Sequence, residues 1–576
     1  MTLVEPAGRV TEQAAVSQRV GAGLTAVRRF QVVCVAATAL AAIPYLWVLW
    51  DMWSGTLHPL RLHGSDDNPI YDVQARALMH GHLWIPNGSI STEAFVSHGH
   101  QYTYFGIFPS LLRVPIFAFT NSFDGRLTAP SILASWITTA LFCSLLLWRL
   151  RTVLGAKATL GWIEAGSYGV LLVSILVGST LVFLAASDDV YAEDLAWSVA
   201  LACASLFAIL GVVERPSWGR LAVCGLFVLC TNLNRSTTGY AAIFATVSVS
   251  IWFATGRAGP ERRRWALPMA LAGLVPLAVG CAVDLAKFGL LFGAPLTDQL
   301  VYKEFHLGRN GGQYFSLRNV PATLHAYVDP LTFRVRSTFP YVVLSDPPDS
   351  AGLVETGSTS NALLSMPLLF AAGVVGVVVP FRRGQSVSVR ALRFLLVAMA
   401  LCAGVIMIYG WITERFVADF LPLLILSSMI GLIELWRWVP GRSKKIRAGL
   451  VAGTFLLAMV GLLANLGYSV TPDRSWSHTQ LTGYLHAQQD LSDITGHPLN
   501  QTIVTGDNFP RPATLGTLFI KGNCQALYVA LETVPNSPTP LSVPSLAWML
   551  VERAPQTLLC RSLLAGTPAG SDHEAG

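Results

Sequence analysis

Runs of about twenty apolar residues recur along nearly the whole chain, and no other feature restricts its fold as much. A helix of that length crosses the roughly 30 Å hydrocarbon core of a bilayer. One run lies between Phe30 and Trp50, and others near 128–148, 164–186, 195–213, 266–289, 361–381, 392–411, 416–436 and 448–468. The stretch 220–255 is long enough for two more, broken by Thr231-Asn232-Leu233-Asn234-Arg235. These runs predict an all-α polytopic membrane protein of about eleven transmembrane helices. Composition agrees: 12% of the 576 residues are charged, about half the share typical of soluble domains.

Charge gives the expected orientation. Arg28-Arg29, Arg149 to Lys157, Arg215 with Arg220, Arg257 with Arg262-Arg263-Arg264, Arg382-Arg383 and Arg442 to Arg447 fall in alternate connections. The opposite connections hold most of the carboxylates. Positive charge marks the cytoplasmic side, so residues 1–29 read as a cytoplasmic tail and the first span as an uncleaved anchor. With eleven spans, the C-terminus lies outside. The net charge of +6 is then a topology signal and points to no nucleic acid partner.

Residues 30–468 form the expected membrane domain, with external loops at 51–127 and 290–360. Residues 469–576 form an expected small extracytoplasmic domain containing β-strands near 502–505, 517–520 and 526–530. Seven cysteines lie in apolar runs, where the residue behaves as a small hydrophobe. Cys524 and Cys560 fall in the external tail, and an oxidising compartment there would favour a disulfide between them. Within the first loop, Phe108 to Pro115 is apolar but carries Arg113 and two prolines, and reads as an interfacial helix.

Asp66-Asp67-Asn68-Pro69-Ile70-Tyr71-Asp72 opens a segment with helical periodicity over Ile70–Leu83. An aspartate before a helix caps orphan N–H groups and complements the dipole. That role explains one aspartate better than an adjacent pair. A second acidic cluster, Ser187-Asp188-Asp189-Val190-Tyr191-Ala192-Glu193-Asp194, lies in another external connection. Cations near the outer ends of the spans include Arg235, Lys303, Arg309, Arg334, Arg336 and Arg415. Arg415 stands between Glu414 and Asp419, a spacing that also suits a satisfied ion pair at a helix end.

The first loop continues as Ala75…Leu78…Gly81…Leu83-Trp84…Pro86 and ends in a Gly, Tyr, Pro, Leu, Pro pattern before the next span. This resembles the GT-C glycosyltransferases of the protein O-mannosyltransferase and aminoarabinose-transferase type, and the stretches Tyr191 to Trp197 and Glu414 to Pro422 resemble uncharacterised actinobacterial members. Those enzymes use polyprenyl-phosphate-linked sugars on the non-cytoplasmic face, and their first-loop Asp-Glu-x-x-Tyr supplies the catalytic base. The pattern falls on Asp67-Asn68-Pro69-Ile70-Tyr71, with Asn68 where the family has Glu, so Asp66 and Asp67 are both candidate bases. The resemblance covers the first 200 residues by motif and the remainder by architecture.

It implies an inverting transfer from a polyprenyl-phosphate sugar to a glycan, lipid or protein acceptor. A carboxylate would take the acceptor proton, and cations would hold the departing phosphate. Asp188, Asp189, Glu193, Tyr71, Arg235, Arg309 and Arg415 are the expected substrate-binding residues. Asp66, Asp67 and Asp188 are hard oxygen ligands suited to Mg2+ or Mn2+, although the sequence requires no cofactor. The first-loop histidines match no clean zinc spacing. A lipid-linked-sugar flippase and a non-catalytic envelope scaffold are the alternative readings.

Overall fold

The computed structural model describes residues 7–52, 70–90, 94–157, 159–187, 189–299, 313–345, 353–382, 386–439, 442–470, 478–496, 515–518 and 528–531. Its elements, in chain order, begin with α1 (Ala7–Leu49), α2 (Ile70–Met79), β1 (Ala94–Ser97), β2 (His100–Thr103) and α3 (Phe108–Phe117). Then come α4 (Thr128–Val153), α5 (Trp162–Leu176), α6 (Thr180–Ser187), α7 (Val190–Glu214), α8 (Trp218–Asn234) and α9 (Ser236–Ala254). Next are α10 (Pro260–Arg263), α11 (Ala266–Phe288), α12 (Val320–Val328), β3 (Arg334–Val335), β4 (Val342–Val343), β5 (Glu355–Thr356), α13 (Ala362–Ser365) and α14 (Pro367–Arg382). The last are α15 (Val387–Met407), β6 (Trp411–Ile412), α16 (Leu421–Trp438), α17 (Lys444–Ser469), α18 (His478–Ile494), β7 (Leu515–Leu518) and β8 (Tyr528–Leu531).

Among the described residues, nine helices are long and apolar enough to cross a membrane. Two of the eleven expected spans fall short of that standard: α8 has 17 residues and α14 has 16. Seventeen residues of helix extend about 25 Å, less than the hydrocarbon thickness. The polar Thr231–Asn234 stretch shortens the apolar part of α8 further. Helix α1 starts at Ala7, so helix also runs through most of the expected N-terminal tail.

The chain divides into two compact units: Met1–Leu49, Pro59–Arg334 and Leu344–Ser469 form one, and Trp50–His58, Val335–Val343 and Val470–Gly576 the other. In the first unit α7 packs against both α4 and α8. Apart from its first turn it is buried on nearly every face, as a helix apolar all round should be. Helix α14 lies along α16, and glycine makes their approach possible. A Cβ on Gly376 would fall on the Ser427 carbonyl oxygen, and one on Gly431 on that of Ala372. Close backbone contact through small residues is how helices gain packing energy where lipid offers no hydrophobic drive. Gly376→Ala forces the two backbones apart and costs about 1–3 kcal/mol. Thermal unfolding in detergent checks this; a midpoint equal to wild type rejects the close crossing.

In the second unit, α18 is held by Gln488, whose Nε2 donates to the Phe339 carbonyl at 2.9 Å, and the Tyr341 hydroxyl donates to the Leu491 carbonyl at 3.3 Å. Sequence periodicity did not point to α18. Strands β7 and β8 pair antiparallel, with Leu515 opposite Leu531, close to two of the three strands expected there. The third, and Cys524 and Cys560, lie outside the described residues.

Candidate functional site

Helix α2 has the amphipathic pattern read from the sequence, and its buried face is more polar than an ordinary core. Ile70, Tyr71, Asp72, Gln74, Ala75 and Ala77 all face inward. A buried carboxylate needs a partner, and Asp72 has Arg113 of α3. The Arg113 Nε donates to Asp72 Oδ1 at 2.5 Å, while Nη1 and Nη2 donate to Glu193 Oε1 and Oε2 of α7 at 2.6 and 2.8 Å. The second Asp72 oxygen accepts from the Gly125 N–H at 2.7 Å. Beside this bridge, the Ser110 hydroxyl donates to Gln74 Oε1 at 3.0 Å. Burial pushes the Asp72 carboxyl above its ordinary range, and Arg113 with the Gly125 N–H opposes the shift.

A second bridge adjoins the first through the consecutive residues Glu193 and Asp194. Arg235 stands at the break between α8 and α9. Its Nη1 donates to Asp194 Oδ2 at 2.7 Å, and its Nε and Nη2 to the two Asp419 oxygens at 3.0 and 2.8 Å. The Thr237 hydroxyl adds a bond to Asp419 at 3.1 Å, and Asn234 donates to the Asp194 carbonyl at 2.8 Å. The polar break that divides two expected spans is therefore the place where α7, α8, α9 and the 3-10 turn Glu414–Phe420 are tied together.

Residues 103–106 of the first loop are fixed over this frame. A Cβ on Gly106 would collide with the Leu233 and Asn234 carbonyl oxygens, so only glycine fits there. The Lys287 ammonium, buried at the end of α11, donates to the Thr103 and Phe105 carbonyls at 2.9 and 3.1 Å. Phe105 then meets Tyr71 at 6.1 Å and Tyr191 at 5.1 Å between ring centroids, and the Arg415 guanidinium lies 3.8 Å over the Tyr191 ring. That distance suits a cation–π contact. Burial, with Asp194 and Glu193 nearby, drives the Tyr71 phenol well above its usual range, so it stays protonated and can donate.

Tyr71, Glu193, Arg235 and Arg415, expected separately as substrate-binding residues, thus share one region. Glu193 spends both oxygens on Arg113. Asp419 takes Arg235 as its partner, not the neighbouring Arg415, and Glu414 accepts from the Ser360 N–H at 2.5 Å. Asp189 caps α7, accepting from the Ala192 N–H at 2.6 Å, which is the structural role a helix start predicts. Asp66, Asp67, Asp188, Lys303 and Arg309 lie outside the described residues, and Arg334 is exposed. Among the described residues no three His, Cys, Asp or Glu side chains are grouped to hold a metal.

Sequence reading passed over Asp72 and Asp194 as members of the site and left Arg113 in an interfacial helix. One signal could have found them: ionisable residues set in or beside apolar helices are expensive and carry a role.

The chain resembles several solved structures, two of which are as follows. The Archaeoglobus fulgidus oligosaccharyltransferase in its apo form aligns with TM-score 0.45 and 16% identity, over 90% of this chain and 63% of that one. The archaeal oligosaccharyltransferase AglB from Archaeoglobus fulgidus, in complex with an inhibitory peptide and a dolichol-phosphate, aligns with TM-score 0.44 and 16% identity over the same shares. The chain spans 63% of the length of those chains. Likeness at this level identifies no family. No family model and no curated protein matches the sequence.

Proposed function

We propose that the chain is a GT-C type membrane glycosyltransferase, moving a sugar from a polyprenyl-phosphate donor to a cell-envelope acceptor. Asp67 or Asp66 is the base in this reading. The observation that carries it is the pair of linked buried bridges, Asp72–Arg113–Glu193 and Asp194–Arg235–Asp419. Three residues of chain reach at most about 11 Å, which ties Asp67 to Ile70, at the start of the helix that the Asp72–Arg113 contact anchors. A base acts only when held in register with the proton it takes, and an ion-paired frame is a means of holding it.

Tyr71 and the Arg415–Tyr191 pair border the same region and would meet the donor. The bridges use Arg113 and Arg235 to hold carboxylates; Arg235, Arg309 and Arg415 are the candidate phosphate-binding cations of this reading. The donor lipid, the acceptor, the extracytoplasmic placement of the site, inversion at the transferred centre and any use of Mg2+ or Mn2+ belong to this proposal.

The test is transfer of radiolabelled sugar from a panel of polyprenyl-phosphate donors in envelope membranes. Wild type is compared with Asp66→Asn, Asp67→Asn and the double variant. Loss of the base lowers transfer about 100-fold or more, with insertion unchanged. Transfer that survives the double variant removes both aspartates from the chemistry. A chain that moves no sugar from any donor is not a glycosyltransferase of this class.

A further inference from the structure

Every carboxylate of the two buried bridges has an arginine. Asp72 and Glu193 share Arg113, and Asp194 and Asp419 share Arg235. Glu414 breaks that pattern. It opens the 3-10 turn Glu414–Phe420 and is 1% exposed, yet among the described residues no cation pairs with it. The adjacent Arg415 turns to the Tyr191 ring instead.

The partners Glu414 does have are uncharged. Its Oε2 accepts from the Ser360 N–H at 2.5 Å and, more distantly, from the Thr359 hydroxyl at 3.5 Å. Its Oε1 is buried with no hydrogen-bond partner. Two more hydroxyls stand close enough to act on the carboxylate, Thr180 at the start of α6 and Ser360 before α13. Both residues are buried, at 0% and 1% exposure, and neither side-chain oxygen has a partner. Helix α17 is a further wall: Tyr468 feels the Glu414 charge, and one turn back Asn465 Oδ1 is also buried without a partner. Buried polar atoms left unpaired are rare in native proteins, and each needs a physical reason.

A proton on Oε1 neutralises the charge but can be donated to only one of the two hydroxyls. A water serves the hydroxyls and leaves an ionised carboxylate buried without countercharge, which is expensive. A cation held by oxygen meets both needs. One carboxylate among neutral oxygens balances a single positive charge, whereas Ca2+ and Mg2+ sites draw on more carboxylate or keep several waters.

We propose that Glu414 Oε1, Thr180 Oγ1 and Ser360 Oγ bind one alkali-metal cation, Na+ or K+, between α6, residues 357–361 and the Glu414–Phe420 turn. The turn also carries Arg415 and Asp419, so the ion would position two residues of the candidate site without touching them. The inference does not depend on the glycosyltransferase reading.

Thermal unfolding of the full chain tests this, with the protein purified throughout in choline chloride and then transferred to NaCl, KCl or choline at equal ionic strength. An ion bound only by the folded state raises the midpoint as its concentration rises. NaCl or KCl should therefore raise it where choline does not, and the more effective of the two identifies the ion. In choline, Glu414→Gln should be at least as stable as wild type, because a bare buried charge has gone, and it should respond to neither salt. A variant that is merely misfolded would instead lose stability in all three. Thr180→Val keeps the carboxylate and should need about tenfold more ion for the same shift. Binding of radioactive sodium or rubidium should saturate at one ion per wild-type chain. A wild-type midpoint indifferent to the choice of cation, or an alkali response that survives Glu414→Gln, overturns the proposal. If Glu414→Gln does not fold, Thr180→Val decides, and an unchanged ion requirement overturns it.

Discussion

Replacing Arg113 with methionine is expected to cost about 3–5 kcal/mol, because it strands two buried carboxylates. The side chains of Asp72, Arg113 and Glu193 are 2%, 3% and 0% exposed, so water cannot take over the lost contacts. Unmasking of the buried thiols Cys143, Cys203, Cys224 and Cys402 toward a thiol-reactive dye reports the loss on heating. Two controls separate the charge effect from lost packing. Arg113→Lys keeps the charge but loses the fork that reaches both partners, and should recover only part of the stability. The triple variant Asp72→Asn, Arg113→Met, Glu193→Leu removes all three charges, and should lie closer to wild type than Arg113→Met alone.

The same variant has a pH signature. Burial already holds the Asp72 carboxyl above its ordinary value with Arg113 present, and without Arg113 it rises further. A carboxyl whose folded pKa exceeds its unfolded value destabilises the fold while ionised. The full cost applies above the folded pKa and fades as pH falls towards the unfolded value near 3.9. The gap between Arg113→Met and wild type should therefore narrow on acidification. A gap constant from neutral to acid pH means that stranded charge is not its cause.

The parts of this protein legible in the sequence are those set by local pattern. Apolar length located the membrane helices, helical period located α2, and the two prolines around a short apolar run located α3. Pairing was not legible, because it depends on distance in sequence that one chain does not encode. Arg113 and Glu193 are 80 residues apart, and Arg235 and Asp419 are 184 apart. Proximity along the chain even misled: Glu414, Arg415 and Asp419 suggest a local ion pair, yet Asp419 turns to Arg235 and Glu414 to the Ser360 N–H.

Arg235 offers the sharpest choice between the sequence reading and the structure. As a phosphate clamp, it would leave stability alone when removed and would raise KM for the donor. As a bridge, it neutralises Asp194 and Asp419, whose side chains are 5% and 0% exposed, and its removal costs about 3–5 kcal/mol. The bridge also predicts non-additivity. Once Asp419 is Asn, Arg235 has one anion left to hold, so Arg235→Ala should cost less in that background, by about 0.5–3 kcal/mol. Arg235→Lys should rescue poorly, since one ammonium cannot occupy both Asp419 oxygens and Asp194 together. Purified variants compared by thermal unfolding decide the matter. Additive losses from Arg235→Ala and Asp419→Asn would leave the arginine without its structural role and return it to the list of donor contacts. Coupled losses make it the tie that keeps α7, α9 and the Glu414–Phe420 turn in register beneath the first loop.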